Sequence, residues 1–557
     1  MKLPVHYWPV KVSRHSLALL LALVLLSASA QPSAYNAHPK LVVVIVIDQF
    51  RGDYLERYRD HFGAGGFRLL LDRGANFAEC YFDYAATFTS PGHATLFAGA
   101  YPRQHGIFTN EWWDPQRKKM VTAVEDASVS PIGIAGAAAT PGMTGISSES
   151  ARPAAAEAGA SPHNLLATTL GDELKLATGG QSRVFTVALK DRAAILPGGY
   201  SADAAYWIEP QSGAFITSSY YLRALPAWAT EFNRGNAGKY WEQDWKDATG
   251  KVLRHMARTT AEGKPASFYS AMGPTPFGSQ YEFDFARELM RNEKLGTGPA
   301  TDLLVVSISG YDILGHQVGP DAAEMRAYTL ALDAQLASFL SYLGEQVGLA
   351  NVWVALAADH GVAPLTEEAQ RFRIPAPILA PAEIKAKLNA ALGAKLGGRG
   401  EFVRFIEWPT VMLDNDAFAA SKLNETDAER AVGEALRELG VRQYYTKSQL
   451  AAGVPNDAMA RRFANSYSPH GGWWVLAEIP PYALPSRSGT THGSPYSYDQ
   501  HFALVLYGLP FRAGTYRTAC EARDLAPTLA SLLGINRPSS ATGRVLTEAL
   551  AGSRSGE

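Results

Sequence analysis

Six aspartate and histidine residues in this sequence are of the types that bind divalent metal ions. They are Asp48, Asp312, His316, Asp359, His360 and His492. Asp312 and His316 are four positions apart, which places both side chains on one face of a helix. Asp359 and His360 would diverge on a regular strand, but the following Gly361 allows a turn in which both face one ion. Carboxylate and imidazole ligands without a thiolate favour zinc over manganese or iron, although each residue alone is more typical of a solvated or capping side chain.

A hydroxyl group near Pro91 is placed to act on an anion. Pro91 fits the first turn of a helix that runs to about Ala98, with Thr89 or Ser90 at its N-cap. The backbone N–H groups and the dipole at a helix N-terminus favour negative charge beside the Thr89 hydroxyl. An ordinary cap is the alternative interpretation, because serine and threonine are common at helix starts.

Two cations, Lys190 and Arg192, follow the apolar run at 184–189. They are two positions apart, so a continued strand would point both side chains to the same face. Such a pair could bind a dianion, since each hydrogen bond to a charged group contributes about 1.5–3 kcal/mol. On its own, a lysine and an arginine at this spacing are more typical of a solvated edge.

Alternating strand and helix patterns are available to position these side chains. Apolar runs that predict buried strands lie at 41–47, 303–308, 352–358 and 502–507. A helical pattern covers 323–346. The alternation predicts the α/β class, with a doubly wound, mostly parallel central sheet and helices on both faces. Ligands bind beyond the carboxyl ends of such strands, so the carboxylates that follow three of the runs predict one shared site.

Three regions depart from this alternation. Residues at about 125–162 are rich in Ala, Gly, Ser and Pro and predict a flexible surface loop. The unusually aromatic segment at about 200–290 and the irregular segment at about 365–485 predict insertions that cap the sheet. We therefore expect residues 31–557 to form a single catalytic domain with these insertions.

Composition and charge exclude several classes of protein. The chain has 557 residues, of which 47% are hydrophobic and 19% charged, as in a globular protein. Its 51 basic and 53 acidic residues give a net charge of -2, which argues against a dedicated nucleic-acid or membrane-coating partner. Cys80 and Cys520 are the two cysteines, and the sequence leaves open whether they pair or stay as buried thiols.

The first thirty residues have the layout of a secretory signal peptide. Basic residues precede an apolar run at 17–26, and small residues follow it up to Ala30. This run is shorter than the roughly 20 apolar residues that a transmembrane helix needs. We expect cleavage after Ala30, a periplasmic or secreted protein and no transmembrane anchor in the mature chain, with an uncleaved anchor as the alternative.

Taken together, the motifs resemble those of the alkaline phosphatase superfamily, and within it the phosphate-irrepressible, threonine-nucleophile alkaline phosphatases. The resemblance runs from residue 43 to about residue 535, with gaps in the insertions. It rests, in the family's order, on Asp48 after the first strand, Thr89-Ser90-Pro91-Gly92-His93-Ala94-Thr95, Tyr101-Pro102-Arg103-Gln104-His105-Gly106-Ile107 leading to Asn110, Lys190-Asp191-Arg192, Asp312 with His316, Asp359-His360-Gly361, Thr491-His492-Gly493 and Asp524-Leu525-Ala526-Pro527-Thr528.

The resemblance implies two zinc ions and a covalent intermediate. One zinc ion would be held by Asp312, His316 and His492, and the second by Asp48, Asp359, His360 and the Thr89 oxygen. Thr89 would be the nucleophile and would form a phosphothreonine intermediate. Asn110, Lys190 and Arg192 would bind the nonbridging phosphoryl oxygens, and the two cations would favour monoesters over diesters.

The sequence thus predicts an exported alkaline phosphatase that hydrolyses small-molecule phosphate monoesters to inorganic phosphate. A nucleotide pyrophosphatase or phosphodiesterase is the alternative within catalysis, and a non-catalytic zinc- or phosphate-binding protein is the alternative of another class. A sulfatase is disfavoured because that branch resembles Cys/Ser-x-Pro-x-Arg. The 53 acidic residues are compatible with an additional structural calcium ion, but no loop has recognisable ligand spacing for one. The sequence does not define the oligomeric state.

Overall fold

The computed structural model describes residues 38–134, 159–397, 400–453 and 457–550. The predicted signal peptide at 1–30 and the central part of the predicted loop at 125–162 lie outside these residues. Among the residues described, no helix is both long enough and apolar enough to cross a membrane.

The strands alternate with helices along most of the chain. In chain order they are β1 Leu41–Ile47, β2 Ala75–Tyr81, β3 Glu111–Asp114, β4 Lys119–Thr122, β5 Pro131–Ile132, β6 Val184–Ala188, β7 Ala204–Ile208, β8 Phe215–Ser218, β9 Asp244–Lys246, β10 Val252–His255, β11 Asp302–Ile308, β12 Val352–Ala357, β13 Val403–Glu407, β14 Thr410–Leu413, β15 Gln443–Thr446, β16 Trp474–Glu478, β17 His501–Tyr507, β18 Gly514–Tyr516 and β19 Cys520–Glu521.

Eleven of the described strands form one central sheet in the order β18-β2-β17-β12-β1-β11-β6-β7-β8-β5, with β19 beside β2. Its interior, from β12 to β7, is parallel, whereas β17 runs antiparallel to both β12 and β2. All seven residues of β1 are buried, because neighbours cover both its edges and helices cover both its faces. The four predicted strands and the predicted α/β fold class are confirmed.

Helices cover the two faces of this sheet. The α-helices are Tyr54–Arg57, Phe67–Arg73, Thr89–Ala98, Pro102–His105, Leu170–Ala177, Asp191–Gly198, Ala227–Gly235, Phe268–Met272, Pro276–Glu293, Gly310–Val318, Ala323–Gln346, Thr366–Arg371, Pro381–Leu396, Asn415–Ala420, Glu425–Glu438, Lys447–Ala452, Ala458–Asn465, Ser497–Gln500 and Leu525–Leu533. The helix Thr89–Ala98 lies on the face of Ser307, whose Oγ is 2.8 Å from His93 Nε2. The predicted helix at 323–346 is confirmed as Ala323–Gln346.

The segment predicted as an insertion at 365–485 contains a second, smaller sheet. Its strands are antiparallel in the order β13-β14-β16-β15. Helices from the same segment pack on this sheet and enclose a separate apolar cluster that includes Leu388, Val432, Leu436 and Val475. We call residues 381–478 the cap module.

The segment at 200–290 differs from the prediction of a capping insertion. Its strands β7 and β8 extend the central sheet, and its helix Pro276–Glu293 packs on that sheet. The aromatic side chains explain the difference, because they form part of the main core. Phe285 lies 5.1 Å from the ring of Tyr206 and 5.2 Å from that of Trp228. Within this segment only the β9–β10 hairpin pairs apart from the central sheet.

Cys80 and Cys520 form a disulfide. They lie on β2 and β19, which are parallel neighbours in the sheet, and their Cα atoms are 4.7 Å apart. The pairing that the sequence left open is thus decided by strand register. It closes a loop across 440 residues and ties the last part of the chain to the sheet.

Candidate active site

Three buried carboxylates meet at the carboxyl edge of the central sheet. Asp48 follows β1 directly, Asp359 follows β12, and Asp312 lies in the helix that begins at Gly310 after β11. Because β1 pairs in parallel with both β11 and β12, the three strand ends lie side by side. All three side chains are fully buried. The shared site predicted from the three apolar runs is therefore present in the fold.

Three histidines reach the same place with one ring nitrogen already engaged. Each Nδ1 lies within hydrogen-bond distance of a backbone carbonyl oxygen: His316 of Thr490 at 2.8 Å, His360 of Gly361 at 2.9 Å and His492 of Thr87 at 2.7 Å. A carbonyl oxygen only accepts, so Nδ1 carries the proton in each ring. In the neutral rings Nε2 is then the acceptor that faces the carboxylates.

The facing atoms suit a cation. His316 Nε2 lies 3.0 Å from Asp312 Oδ1, and His360 Nε2 lies 3.3 Å from Asp48 Oδ1. A lone pair and a carboxylate oxygen at this distance repel one another unless a proton or a cation is shared between them. Asp48 Oδ1 is buried and accepts no hydrogen bond from the part of the chain that the structure describes. Imidazole nitrogens and carboxylate oxygens in this arrangement fit a dication such as zinc.

Two sets of these atoms lie close enough to hold a metal ion. One set is Asp48, Asp359 and His360, and the other is Asp312, His360 and His492. The sequence assigned His360 to the first set alone, and the structure places it between the two. The ring centroids of His360 and His492 are only 3.6 Å apart. His316 approaches the second set through Asp312, one helical turn before it, as its spacing predicted.

Thr89 lies at the start of the helix Thr89–Ala98. The expected N-cap role for Thr89 or Ser90 is wrong, because Phe88 occupies that position and makes no side-chain cap. The backbone of Phe88 is extended, so the helix begins at Thr89, before the start that the position of Pro91 indicated. Thr89 is fully buried, and its Oγ1 lies 3.5 Å from His360 Nε2. The hydroxyl thus faces one candidate ligand instead of capping its own helix.

Gly92 and His93 fix the Thr89 helix against the sheet. A side chain at position 92 would overlap the backbone and Cβ of Asp359, so glycine allows this close approach. His93 Nδ1 lies 2.9 Å from the Thr89 carbonyl oxygen and 3.2 Å from Asp359 Oδ2. His93 therefore holds the helix and a candidate ligand together.

Lys190 joins the two ligand sets. Its Nζ donates to Asp48 Oδ2 and to Asp312 Oδ2, each at 2.6 Å, and its side chain is 1% exposed. Burial lowers the pKa of Lys190, but the two carboxylates outweigh that effect and hold the pKa above its ordinary value. Burial raises the pKa of Asp48, and the carboxylates of Asp312 and Asp359 raise it further. The ammonium therefore compensates carboxylates that would otherwise repel one another.

The expected strand continuation through Lys190 and Arg192 is wrong. Strand β6 ends at Ala188, Lys190 is the N-cap residue of the helix Asp191–Gly198, and Arg192 lies in its first turn. The acidic Asp191 at the helix N-terminus favours this turn. The two cations still lie in one region, since the charges of both act on the hydroxyl group of Tyr269. Burial raises the pKa of Tyr269 to about 12, whereas the charges of Lys190 and Arg192 act to lower it.

Asn110 is tied to the start of the Thr89 helix. Its Oδ1 accepts a hydrogen bond of 2.8 Å from the backbone N–H of Ser90, and the residue is 7% exposed. The amide oxygen of Asn110 is therefore bound to the first turn of the helix. The structure thus places Asn110 beside Thr89, although 20 residues separate Asn110 from Ser90.

Two other buried or half-buried histidines, His105 and His501, make structural contacts. His105 Nε2 lies 3.1 Å from Thr95 Oγ1, and burial lowers the pKa of His105 to about 3. His501 stacks on Tyr81, and its Nε2 lies 2.9 Å from the carbonyl oxygen of Ala78. Neither residue belongs to the sets of candidate ligands.

The sequence reasoning missed two polar residues at the carboxyl edge, Glu282 and Gln49. Glu282 Oε1 accepts hydrogen bonds from the backbone N–H groups of Leu189 at 2.8 Å and Ser309 at 3.3 Å. It thereby ties together the ends of β6 and β11. The available signal was a carboxylate on the buried face of the amphipathic pattern at 276–293, which apolar packing does not explain. Gln49 gave no signal beyond its position next to Asp48.

A buried threonine beside two carboxylate–imidazole sets, at the carboxyl edge of a mostly parallel sheet, is the arrangement expected of a metal-dependent enzyme. Comparison with known proteins identifies the family. Residues 42–398 match the type I phosphodiesterase / nucleotide pyrophosphatase family. The chain belongs to this family.

Two relatives that match nearly the whole chain are alkaline phosphatases. The chain is 32% identical to alkaline phosphatase PhoV of Synechococcus elongatus, over 94% of this chain and 96% of that protein. It is 31% identical to alkaline phosphatase PafA of Elizabethkingia meningoseptica, over 95% of this chain and 98% of that protein. The crystal structure of wild-type PafA superposes with a TM-score of 0.81 and covers 92% of this chain and 99% of PafA. The resemblance inferred from the motifs is confirmed, and the chain is an enzyme of the alkaline phosphatase kind.

Proposed function

We propose that this protein is an exported phosphomonoesterase that releases inorganic phosphate through a phosphothreonine intermediate on Thr89. The observation that carries the proposal is the position of Thr89 Oγ1, buried at a helix N-terminus and 3.5 Å from His360 Nε2. In this environment an anionic substrate is attracted by the helix N-terminus and by Lys190, while bulk water is excluded.

The donor sets support two zinc ions as the cofactors. Asp312, His316 and His492 would hold one ion, and Asp48, Asp359, His360 and Thr89 would hold the other. Bound zinc would supply Lewis acidity, which favours the alkoxide form of a hydroxyl and stabilises a departing oxygen. His360 Nε2 lies 3.5 Å from the Thr89 hydroxyl and 3.3 Å from Asp48 Oδ1, so we assign this nitrogen to metal binding and not to general-base catalysis.

The reaction that follows from these residues has two displacements. Thr89 Oγ1 attacks phosphorus in line, the bond to the ester oxygen breaks, and the leaving alcohol takes up a proton. Water then attacks the phosphothreonine, releases phosphate and restores the Thr89 hydroxyl. Asn110 would bind a nonbridging oxygen in both steps, and its hydrogen bond from the N–H of Ser90, next to Thr89, supports this role.

Lys190 and Arg192 support selection of a dianion. In the structure the Lys190 ammonium binds Asp48 and Asp312. If bound metal took up the charge of those carboxylates, the ammonium would be available to bind a phosphoryl oxygen. A monoester presents one more charged oxygen than a diester, so two cations favour the monoester.

A solved variant of PafA supports the assignment of Thr89, Asn110, Lys190 and Arg192 to the active site. That variant carries serine in place of a threonine and alanine in place of an asparagine, a lysine and an arginine. Its threonine and asparagine are 21 positions apart and its lysine and arginine are two apart, which are the spacings of Thr89 to Asn110 and of Lys190 to Arg192.

A diesterase is the second candidate, because the family model that matches residues 42–398 is described as a type I phosphodiesterase / nucleotide pyrophosphatase. Lys190 is the residue that weighs against it, since a buried ammonium gains most from a dianionic substrate. For localisation, the disulfide between Cys80 and Cys520 and the N-terminal signal-like segment favour an oxidising compartment, either the periplasm or the medium.

One set of assays tests the proposal. Residues 31–557 are purified with zinc, and hydrolysis of an aryl phosphate monoester is compared with that of the matching diester and sulfate. We expect the monoester to be fastest, and Thr89→Ala to lower its kcat by about 10⁴-fold or more while Thr89→Ser keeps measurable activity. A faster diester reaction would support the second candidate. Wild-type activity in Thr89→Ala would exclude Thr89 as the nucleophile.

A further inference from the structure

Gln49 occupies an unusual position in this site. It follows Asp48 at the end of β1, is fully buried and has a φ of 65°, in the left-handed region. Residues other than glycine, asparagine and aspartate seldom adopt this conformation, because Cβ approaches the backbone. Glycine would take this turn without strain. The contacts of a buried glutamine in this conformation must therefore compensate for the strain, which indicates that its side chain has a role in the site.

Gln49 contacts one carboxylate from each set of ligands. Its backbone N–H donates to Asp359 Oδ1 at 3.1 Å, and its side-chain Nε2 donates to Asp312 Oδ1 at 2.5 Å. Asp359 follows β12 and Asp312 follows β11, which flank β1 on opposite sides. A single residue thus spans the distance between the two sets from the middle strand.

The left-handed turn is what allows both contacts. It directs the backbone N–H toward Asp359 while the side chain extends toward Asp312. The amide must present Nε2 to Asp312, since an oxygen in its place would face a carboxylate oxygen. Oε1 accepts no hydrogen bond from the described residues, so the donor function is the one that the site uses.

Gly315 leaves space for the side-chain amide of Gln49. A methyl group at this position would overlap Gln49 Oε1. Gly315 lies between the candidate ligands Asp312 and His316 on the helix Gly310–Val318. The absence of a side chain there gives the amide room beside the helix that carries both ligands.

We propose that Gln49 is a positioning residue that sets the separation of the two metal sets by holding Asp359 through its backbone and Asp312 through its side chain. The inference rests on the proposed zinc site. A hydrogen bond to a ligating carboxylate fixes its orientation, and loss of such a partner typically costs about 10- to 100-fold in metal affinity or activity.

The test separates positioning from folding. Gln49→Gly removes the amide and also relieves the left-handed strain, and Gln49→Asn keeps an amide that is too short to reach Asp312. Retained zinc is measured by elemental analysis after dialysis against a graded chelator, together with kcat, KM and the melting temperature of the metal-free chain. We expect both variants to release at least one zinc ion at about 10- to 100-fold lower chelator strength and to lose kcat in proportion. Metal-free Gln49→Gly should melt at or above the wild-type temperature.

Lys294→Gly is the matched control. Lys294 has a φ of 54° and is exposed at a helix end, so the change relieves the same backbone strain without touching a carboxylate. It should leave zinc retention and kcat unchanged.

The outcomes are distinct. If wild type retains no zinc, the proposed cofactor fails, whatever Gln49 does. If wild type retains two zinc ions and Gln49→Gly retains them equally well with wild-type kcat, the role of Gln49 is excluded. A loss of activity that follows only a lower metal-free melting temperature would likewise exclude positioning.

Gly315→Ala adds an independent check. Alone it should disturb zinc retention, because the methyl group displaces the amide. In the Gln49→Gly background the space is open, so the further loss should be smaller, and a double-mutant cycle measures the coupling. Additive losses would mean that Gly315 does not act through Gln49.

Discussion

The carboxyl edge of the central sheet and the cap module are both buried, but different side chains fill them. At the edge, Asp48, Asp312, Asp359 and Lys190 are packed within hydrogen-bond distance of one another or of other polar groups. In the cap module the interior is an apolar cluster built around residues such as Leu388 and Leu436. Burial therefore stabilises the apolar interior of the cap module, whereas at the carboxyl edge it opposes the charged form of the carboxylates.

The difference shows how one fold holds reactive groups in place. Parallel strands such as β1, buried along all seven residues, supply the apolar stability from which the polar edge projects. The charges at the edge are kept close by partners and not by their own favourable burial. Stability and function should consequently respond to different substitutions in the two regions.

Lys190→Met tests the charged edge. Without the ammonium, Asp48 and Asp312 are left as uncompensated buried carboxylates, so the metal-free chain should lose about 3–5 kcal/mol of unfolding free energy. Chemical unfolding with chelator and with added zinc measures the effect, and zinc should restore most of the loss because a dication replaces the missing charge. Lys294→Met is the exposed control. Equal losses with and without zinc would show that charge compensation is not the cause.

Leu436→Ala tests the apolar interior of the cap module. The side chain is fully buried in the helix Glu425–Glu438, and its removal should cost about 2–5 kcal/mol of unfolding free energy. At a temperature where the variant stays folded, kcat should be unchanged. Glu438→Ala, at an exposed position on the same helix, should alter neither quantity. A fall in kcat with Leu436→Ala in the folded protein would mean that the two regions are coupled.

Gly92→Ala tests the approach of the nucleophile to the edge. The added methyl group overlaps the Asp359 backbone and shifts the Thr89 helix, and misplacement of reacting groups by about 1 Å costs about 10²-fold in rate. Steady-state kinetics should show the loss in kcat. Gly235→Ala is the matched control, because no atom lies near the position of its Cβ, and it should keep full activity. Unimpaired kcat in Gly92→Ala would contradict the close packing.

Glu429→Gln tests a carboxyl in the interior of the cap module whose pKa is raised. Burial raises the pKa of Glu429 from 4.5 to about 7, although the N–H of Ser448 acts to lower it. Because the folded pKa is the higher one, the stabilisation is complete below pH 4.5 and is lost as pH rises through 7, by about 1.4 kcal/mol per pKa unit.

Urea unfolding at several pH values measures this effect as the difference between wild type and Glu429→Gln. The glutamine variant should lack this pH-dependent loss of unfolding free energy. At each pH its kcat should equal that of the wild type. Glu438→Gln is the exposed control on the same helix. Parallel stability curves for wild type and Glu429→Gln would exclude a raised pKa.

Much of the fold was predictable because apolar runs report burial directly. The runs at 41–47, 303–308 and 352–358 matched strands within one residue. Prediction failed where a local pattern competes with tertiary packing. The aromatic residues at 200–290 indicated a cap, yet Tyr206 and Phe285 pack in the main core. The run at 184–189 indicated a longer strand, yet Asp191 begins a helix.

The candidate site was predictable in its residue types but not in its contacts. Asp312 and His316 are neighbours on one helix, so spacing alone brought them together. His360 lies between two sets because strands distant in sequence converge, which spacing does not report. Gln49 and Glu282 lack any motif, and their roles emerge only from what their polar atoms touch.

The sequence by itself determined the strands, the six aspartate and histidine ligand candidates and the threonine at a helix start, because these depend on local pattern and side-chain chemistry. The tertiary structure alone decided the pairing of Cys80 with Cys520, the bridge from Lys190 to Asp48 and Asp312, and the turn at Gln49. These features join residues that are far apart in the chain. Strand order and register bring them into contact, and no local pattern encodes either.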